Sequence, residues 1–261
     1  SVREWRSAFS KKRGTHSERD SGVPTYRSRG MNWFPRLDRL ASKLFIRHGH
    51  RLYKRYVAEN GIPDVIHVHS LLYAGVLANE IFERYKIPFI VTEHSTAFAR
   101  KLISPAGISL AKAASLNASR RFAVSEAFAN LLNELLGHKG SPWMELPNIV
   151  NEKFLQANLE QERKPSEFRF VNVAFMNEKK KQSHILRAFS HIKKAYSEAR
   201  LTLAGDGPER KNLERLAVEL GIHEAVKFTG LLTRDQVLIE IVRSDAFVLA
   251  SSHETFGVVV I

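Results

Sequence analysis

The feature that most constrains the fold is a repeated alternation of short apolar runs with longer segments of helical periodicity. The apolar runs are typical of buried strands, and the segments between them place apolar residues three and four positions apart. Strands that alternate with helices predict an α/β fold with parallel sheets covered by helices. The predicted strands are 65–68, 88–92, 121–124, 143–146, 168–173, 200–204, 226–229 and 246–249. The predicted helices are 73–85, 107–118, 126–136, 181–197, 208–220 and 233–243.

A polar stretch divides this alternation into two blocks. Residues 151–167 contain few apolar side chains and include Lys164-Pro165-Ser166, so we interpret them as a linker. The sequence therefore predicts two Rossmann-like parallel-sheet domains, over residues 33–150 and 168–261. Open sheets of this kind bind ligands beyond the carboxyl ends of their strands, and two such sheets in tandem would share a cleft. Functional residues are therefore expected at strand ends.

The first part of the chain carries most of the net charge. Residues 1–56 hold 15 Lys and Arg against four acids, a net charge of +11, whereas the whole chain has +13. We interpret residues 1–32, rich in Arg, Ser and Gly, as a basic loop or disordered segment. Residues 33–56 place apolar side chains at helical spacing with Arg and Lys between them, which predicts a basic amphipathic helix. Its apolar face either packs on its own domain or lies on a membrane surface.

Composition limits the kinds of partner that the chain could bind and the cellular compartment in which it could work. The basic excess suggests an anionic partner such as lipid headgroups, nucleic acid or a phosphorylated substrate, although a solvated basic segment without any partner explains the same pattern. The sequence has no Cys, which excludes disulfides and thiolate metal sites and fits a reducing compartment. It also has no apolar run of about 18 residues, the length needed to cross a bilayer.

Two histidines stand at predicted strand ends in the first domain. His69 ends the run that starts at residue 65, and His94 follows the next strand. A His in this position can bind a sugar hydroxyl or a phosphate, or carry a proton, but each could equally pack at the strand end against a backbone partner. His67 is interpreted as structural. The spacing of these residues does not match a zinc site, so no metal is expected.

Three polar segments stand at strand ends in the second domain. Lys179, Lys180 and Lys181 follow one strand, and Lys binds phosphate as a point charge. Gly205-Asp206-Gly207 follows another strand and opens a helix, where free backbone N–H groups can bind a ligand. Glu254, before a Phe256-Gly257 turn, can accept from sugar hydroxyls. A solvated basic turn and an ordinary strand-to-helix turn explain the first two equally well.

These segments, in this order, resemble the retaining glycosyltransferases of family 4, which have the GT-B architecture. The resemblance covers roughly residues 60–261. It is most specific over 168–261, because several short motifs there occur in the order and at the spacing of that family. These motifs are the Lys cluster, Gly205-Asp206-Gly207-Pro208-Glu209, Phe228-Thr229-Gly230, and the segment from Ser251 to Gly257 that contains Glu254 and Phe256.

The resemblance implies a role for each matching position. His94 would lie near the transferred sugar, and Lys180 would bind the donor diphosphate, with Lys181 as the alternative one register step away. Glu254 would lie close to the donor hexose and act with His94 in catalysis. The remaining positions would surround the donor: Gly205, Asp206 and Gly207 in the facing loop, Leu232 near the nucleotide base, and Phe256 and Gly257 as backbone N–H donors.

Two departures from the family pattern stand out. Ala174 and Phe175 occupy the places where the family usually has Gly-Arg, so one phosphate-binding charge is missing. The second Glu of the family's paired-Glu motif would be residue 262, one position beyond Ile261. We therefore expect an internal fragment in which both domains are incomplete and which is inactive by itself.

The resemblance implies transfer of a hexose from a nucleoside diphosphate sugar, with retention, to a glycan or lipid-linked acceptor in cell-surface polysaccharide synthesis. No cofactor or metal is expected. The location would be cytoplasmic, peripheral at the inner face of the membrane, with residues 1–56 on anionic lipid. A basic nucleic-acid-binding protein is an alternative, but no recognition motif supports it and no nucleic acid is expected as a partner. A sugar phosphorylase or epimerase on the same two-domain plan is a further alternative.

Overall fold

The computed structural model describes residues 14–20, 22–29, 37–137, 140–157, 167–252, 254 and 256–260. The chain divides into two compact units, Ser1–Pro147 (unit 1) and Asn148–Ile261 (unit 2). In the described residues, each unit contains a four-stranded sheet in which every neighbouring pair is parallel. The predicted α/β architecture with two Rossmann-like parallel sheets is therefore confirmed.

Unit 1 is built on a sheet of order β3-β4-β5-β6. Phe89 and Val91, two positions apart on the second of these strands and therefore on one face of the sheet, are fully buried. The strands are β3 (Ile66–His69), β4 (Phe89–Glu93), β5 (Arg120–Ala123) and β6 (Trp143–Glu145), preceded by β1 (Gly14–Asp20) and β2 (Val23–Arg29). The helices are α1 (Asp38–Asn60), α2 (Val76–Tyr85), α3 (Thr96–Ala99), α4 (Pro105–Leu116) and α5 (Glu126–Leu136), with an irregular turn at Leu71–Gly75.

Unit 2 is built on a sheet of order β10-β7-β8-β9. Its core packs Leu201 and Leu203 of the sheet against Leu186, Phe189 and Leu213 of the helices. The strands are β7 (Arg169–Val173), β8 (Arg200–Ala204), β9 (Val226–Gly230) and β10 (Ala246–Phe247). The helices are α6 (Glu152–Leu155), α7 (Gln182–Ala195), α8 (Arg210–Glu219) and α9 (Arg234–Val242), with short 3₁₀ turns at Glu178–Lys180, His223–Ala225 and Val258–Val260.

Local sequence signals fix several helix starts. Ser104 and Ser125 cap α4 and α5 through their side-chain oxygens, and Pro105 opens α4. Thr233 and Gln236 form the reciprocal capping box expected from their spacing before α9. None of the helices in the described part of the chain combines the length and the apolar character that spanning a bilayer requires.

The reading of residues 1–32 as loop or disorder is wrong for the described part of that segment. Strands β1 and β2 form an antiparallel hairpin with Gly14 opposite Arg29 and Asp20 opposite Val23. Composition did not reveal this hairpin because its strands are mostly exposed and have no buried apolar face; an edge-to-face contact between Tyr26 and Tyr56 and several polar contacts join it to α1. The Tyr26 hydroxyl donates to Glu59 of α1 at 2.7 Å, and Arg55 donates to Ser17 at 3.1 Å. Residues 1–13 lie outside the described residues.

Two boundaries also differ from the prediction. Helix α1 begins at Asp38 and extends to Asn60, whereas the sequence pattern predicts it over 33–56; residues 31–36 lie outside the described residues. The segment interpreted as a linker contains the short helix α6, whose first N–H groups are capped by Asn151. Of that segment, residues 158–166 lie outside the described residues.

Candidate active site

His94 lies directly after β4, and its imidazole is bonded to that of His69 at the end of β3. The two strands are parallel neighbours, so their carboxyl ends bring the rings together at one edge of the unit 1 sheet. His69 Nδ1 and His94 Nε2 are 3.0 Å apart, and the ring centroids are 5.2 Å apart in a stacked arrangement. One nitrogen of this contact must donate and the other accept, so the bond requires at least one of the two facing nitrogens to be unprotonated.

His67 points to the same face as His69 but has a different partner. Its Nε2 lies 2.8 Å from the Thr92 hydroxyl, and its ring centroid is 4.3 Å from that of His69. Partial burial, together with the nearby His69, lowers the pKa of His67. A ring held by a neighbouring strand in this way fits the structural role expected from the sequence.

Glu93 is the residue that the sequence analysis did not single out. Its side chain is fully buried, yet it belongs to the last position of β4, next to His94. One carboxylate oxygen accepts from the backbone N–H of Leu71 at 2.6 Å. The other accepts from the backbone N–H groups of His94 at 2.9 Å and of Ser95 at 2.7 Å. Burial raises the pKa of Glu93, while these three N–H bonds act in the opposite direction. The carboxylate thus joins the two loops that follow β3 and β4.

The loop after β3 has a strained backbone. Ser70 and Tyr73 adopt positive φ values of 81° and 68°, a region that residues other than glycine rarely occupy. Together with the residues that follow β4, this loop lines a cavity of about 330 Å³, to which Ser95, the residue after His94, contributes. Its lining carries no charged side chain and consists of Ser70, Leu72, Tyr73, Ser95, Ala97, Phe98, Leu102 and Ile103. A largely neutral ligand group would fit such a surface.

In unit 2, Lys180 and Glu254 form an ion pair. Lys180 follows β7 and Glu254 follows β10, the two neighbouring strands at one end of the sheet. Ser252 holds the second segment against the first, because its N–H donates to the Lys179 carbonyl at 3.0 Å. The Lys180 and Glu254 side chains keep 24% and 31% of their accessible surface. Of the two lysines that the sequence left open, the structure brings Lys180 to Glu254.

The glycines of the Gly205-Asp206-Gly207 loop have a different role from the expected one. Their N–H groups are not open to a ligand in this structure, because Gly205 N–H donates to the Gly230 carbonyl at 3.0 Å and Gly207 N–H donates to the Asp206 carboxylate at 2.8 Å. A Cβ on Gly205 would lie 2.0 Å from the Ala174 carbonyl oxygen. The glycines are therefore required for close approach of the loops after β7 and β8.

The other predicted residues also lie beyond strands of the unit 2 sheet. Leu232 is half-buried in the loop between β9 and α9, directly before the cap residue Thr233. Phe256 and Gly257 follow Glu254, and Gly257 has a φ of 74°. The Gly257 carbonyl accepts from Val260 N–H at 2.8 Å in the turn that follows.

A cavity of unit 2 lies at the amino-terminal edge of its sheet, opposite the edge that carries Lys180 and Glu254. It measures about 320 Å³ and has charged walls that include Arg169, Arg200 and Lys227. All three side chains are paired, Arg169 with Glu167 at 2.6 Å, Arg200 with the same Glu167 at 3.7 Å, and Lys227 with Glu240 at 2.6 Å. No residue of the candidate site lines it, so we do not assign it to the donor.

Comparisons with known proteins agree with this geometry. A family model described as Glycosyltransferase Family 4 matches residues 9–154, and one described as Glycosyl transferases group 1 matches residues 156–261. The lipopolysaccharide core biosynthesis glycosyltransferase LpsD of Rhizobium meliloti is 42% identical over 73 residues, which are 28% of this chain and 20% of that protein. The alpha-monoglucosyldiacylglycerol synthase of Streptococcus pneumoniae is 26% identical over 211 residues, 74% of this chain and 48% of that protein.

Solved structures show the same fold. Anabaena HepE in complex with UDP and glucose superimposes with a TM-score of 0.62 at 16% sequence identity, over 87% of this chain and 60% of that chain. The chain spans about half the length of the curated relatives that it matches over most of its own length.

Proposed function

The chain belongs to glycosyltransferase family 4, and on that premise we propose that it transfers a hexose from a nucleoside diphosphate sugar to a glycan or lipid-linked acceptor. The transfer retains the configuration at the anomeric carbon. The product belongs to cell-surface polysaccharide or glycolipid synthesis, in line with the lipopolysaccharide-core and glycolipid enzymes among the relatives. The proposed location is the cytoplasm, peripheral at the inner face of the membrane.

The contact between Lys180 and Glu254 is the observation that carries this proposal. A cation that binds the diphosphate and a carboxylate that binds the sugar hydroxyls must be no further apart than the length of one donor molecule. Lys180 and Glu254 meet this condition, because their side chains are in contact at the carboxyl edge of the sheet. In the free protein each neutralises the other. A bound donor would supply phosphate oxygens to Lys180 and hydroxyl groups to Glu254. The two side chains could therefore separate from each other and bind the donor without either charge losing its partner.

The proposed chemistry needs stabilisation of the leaving diphosphate. Negative charge builds on this group in the transition state, and a preoriented cation lowers the barrier most where charge develops. Lys180 would supply that cation, and the backbone N–H groups of Phe256 and Gly257 would add donors. We propose that no metal is required for this step. The match to the family motif supports a further role for His94, near the transferred sugar.

The donor is best sought among uridine nucleotides, because the similar HepE structure holds UDP and glucose. Thermal stabilisation by UDP, UDP-glucose, UDP-N-acetylglucosamine and GDP-mannose would identify the donor class, since a ligand that binds only the folded protein raises its stability. Lys180→Ala is expected to weaken binding of the stabilising nucleotide sugar by roughly 10- to 150-fold, the equivalent of losing one charge-assisted hydrogen bond.

Neighbouring lysines provide the controls. Lys179→Ala removes the same charge one position earlier, from an exposed side chain, and should change the affinity less than threefold or so by screening alone. Lys181→Ala decides the register: a larger loss there than at Lys180 would contradict our assignment. No stabilisation by any nucleotide sugar would refute the proposed function, and product analysis with and without acceptor would separate transfer from phosphorolysis or epimerisation.

A further inference from the structure

The exposed face of α1 carries a straight line of basic side chains. Lys43, Arg47, Arg51 and Lys54 are all exposed and are spaced by four, four and three positions. With about 3.6 residues per turn these positions fall on one side of the helix, and the line is about 16 Å long at a rise of about 1.5 Å per residue. We call these four residues the basic stripe.

The basic stripe has no acidic counterpart in the described part of the protein. None of its four side chains forms an ion pair there, whereas Arg55, just beyond the stripe, is paired with Glu59 at 2.9 Å. The residues of α1 that face the core, Ala41 and Ile46, lie on the other side of the helix. The stripe is therefore a solvent-facing surface of uncompensated positive charge, and its charge complements an anionic partner.

Exposed leucines continue the stripe at its amino-terminal end. Leu40 precedes Lys43 by one helical turn and is 41% exposed, and Leu37 at the cap of α1 is 54% exposed. Cationic side chains beside exposed aliphatic ones fit the interface of an anionic bilayer, where the charges meet headgroups and the leucines enter the acyl boundary. Single-stranded nucleic acid is a poorer match, since the stripe contains no aromatic side chain on which a base could stack.

We propose that the basic stripe, with Leu37 and Leu40, is the surface through which unit 1 binds an anionic lipid bilayer. This assigns the membrane contact of the proposed function to a defined face of α1. Binding should therefore require anionic lipid and weaken as the salt concentration rises. It should also depend on the exposed leucines as well as on the basic side chains.

The test is co-sedimentation of the full chain with phosphatidylcholine vesicles that contain or lack phosphatidylglycerol. We expect the double variant Arg47→Gln/Arg51→Gln to partition about 25-fold less onto the anionic vesicles, about fivefold for each basic side chain removed. The matched control is Lys211→Gln/Arg215→Gln, which removes the same charge from an exposed face of α8 in unit 2 and should reduce partitioning less than twofold or so. Leu40→Gln should also lower vesicle binding.

The proposal would be overturned if the unchanged chain did not bind anionic vesicles, if the two double variants lost binding equally, or if Leu40→Gln kept full binding. Tighter binding to a single-stranded oligonucleotide than to vesicles, insensitive to Leu40→Gln, would assign the stripe to nucleic acid and also overturn it. All substituted side chains are exposed, so loss of folding is not expected, and thermal unfolding of each variant checks this. Nucleotide-sugar binding measured on the same proteins keeps a failure of the donor proposal separate from a failure of this one.

Discussion

Replacing Glu93 by Gln tests whether the buried carboxylate holds the two loops around His94. The amide has nearly the shape of the carboxylate but offers one acceptor oxygen where Glu93 offers two. If that oxygen keeps the bonds from His94 and Ser95, the new NH₂ group faces the Leu71 N–H, which lies 2.6 Å from the present oxygen. Two donors are then buried without an acceptor.

The magnitude follows from the number of unpaired groups. Each buried donor left without a partner costs about 1–3 kcal/mol, and relief of the buried charge offsets part of this, so we expect Glu93→Gln to lower the free energy of unfolding by about 2–4 kcal/mol. Glu134→Gln is the matched control, because Glu134 is an exposed carboxylate in the same unit, and a surface change of this kind stays within about 0.5 kcal/mol.

Tryptophan fluorescence during urea unfolding is a suitable assay. The chain has three Trp, at positions 5, 33 and 143, and all of them belong to unit 1. The signal therefore reports on the unit that contains Glu93 even if the two units unfold separately. A change of less than about 0.5 kcal/mol for Glu93→Gln, equal to the Glu134 control, would refute the reasoning about the three N–H bonds.

The pH dependence gives a second check on Glu93. Burial raises its pKa above the ordinary value of 4.5, so the carboxyl group of the unfolded chain ionises first as the pH rises. The stabilising contribution is complete below pH 4.5 and is lost as the pH rises through the pKa of the folded protein. The stability of the parent chain relative to Glu93→Gln should therefore fall with rising pH in this window. A relative stability that grows with pH would show that the carboxylate is favoured in its charged form.

Three further outcomes are expected. Gly205→Ala should destabilise unit 2 by about 2–5 kcal/mol, because its Cβ would lie 2.0 Å from a carbonyl oxygen. Gly221→Ala, which has open space around it, should cost about 1–2 kcal/mol. Unfolding followed by far-ultraviolet circular dichroism measures both variants, and equal effects would contradict the packing argument. Thr233→Ala should cost about 1 kcal/mol through loss of the α9 cap; an unchanged midpoint would contradict it. The hydrogen bonds from Tyr26 and Arg55 lower the pKa of Glu59, so the ionised carboxylate is the form that stabilises the hairpin. Hydrogen-exchange protection of the hairpin amides should therefore be lost as the pH falls below 4.5, and also in Glu59→Gln. Protection that is retained would show that other contacts hold the hairpin.

Much of the fold could be predicted because it depends on local periodicity and on caps. The eight strands expected in the two sheets all occur, with bounds shifted by one residue or two in most cases, since buried parallel strands leave continuous apolar runs in the sequence. The capping box of α9 was visible because its two members are three positions apart. The hairpin β1–β2 was missed because its partners, Glu59 and Arg55, are more than thirty positions away and leave no periodic pattern.

The candidate site was predictable at the level of which residues stand at strand ends. Parallel strands place their carboxyl ends at one edge, so the sequence by itself determined that His69 and His94 share one edge and that Lys180 and Glu254 share another. Only the tertiary structure decided that Lys180, and not Lys181, faces Glu254, because a one-residue step around a tight turn redirects the side chain. It also decided that Glu93 turns inward and that the N–H groups of Gly205 and Gly207 are already bonded. Burial and hydrogen-bond partners depend on segments distant in the chain, and the residue types alone do not encode them.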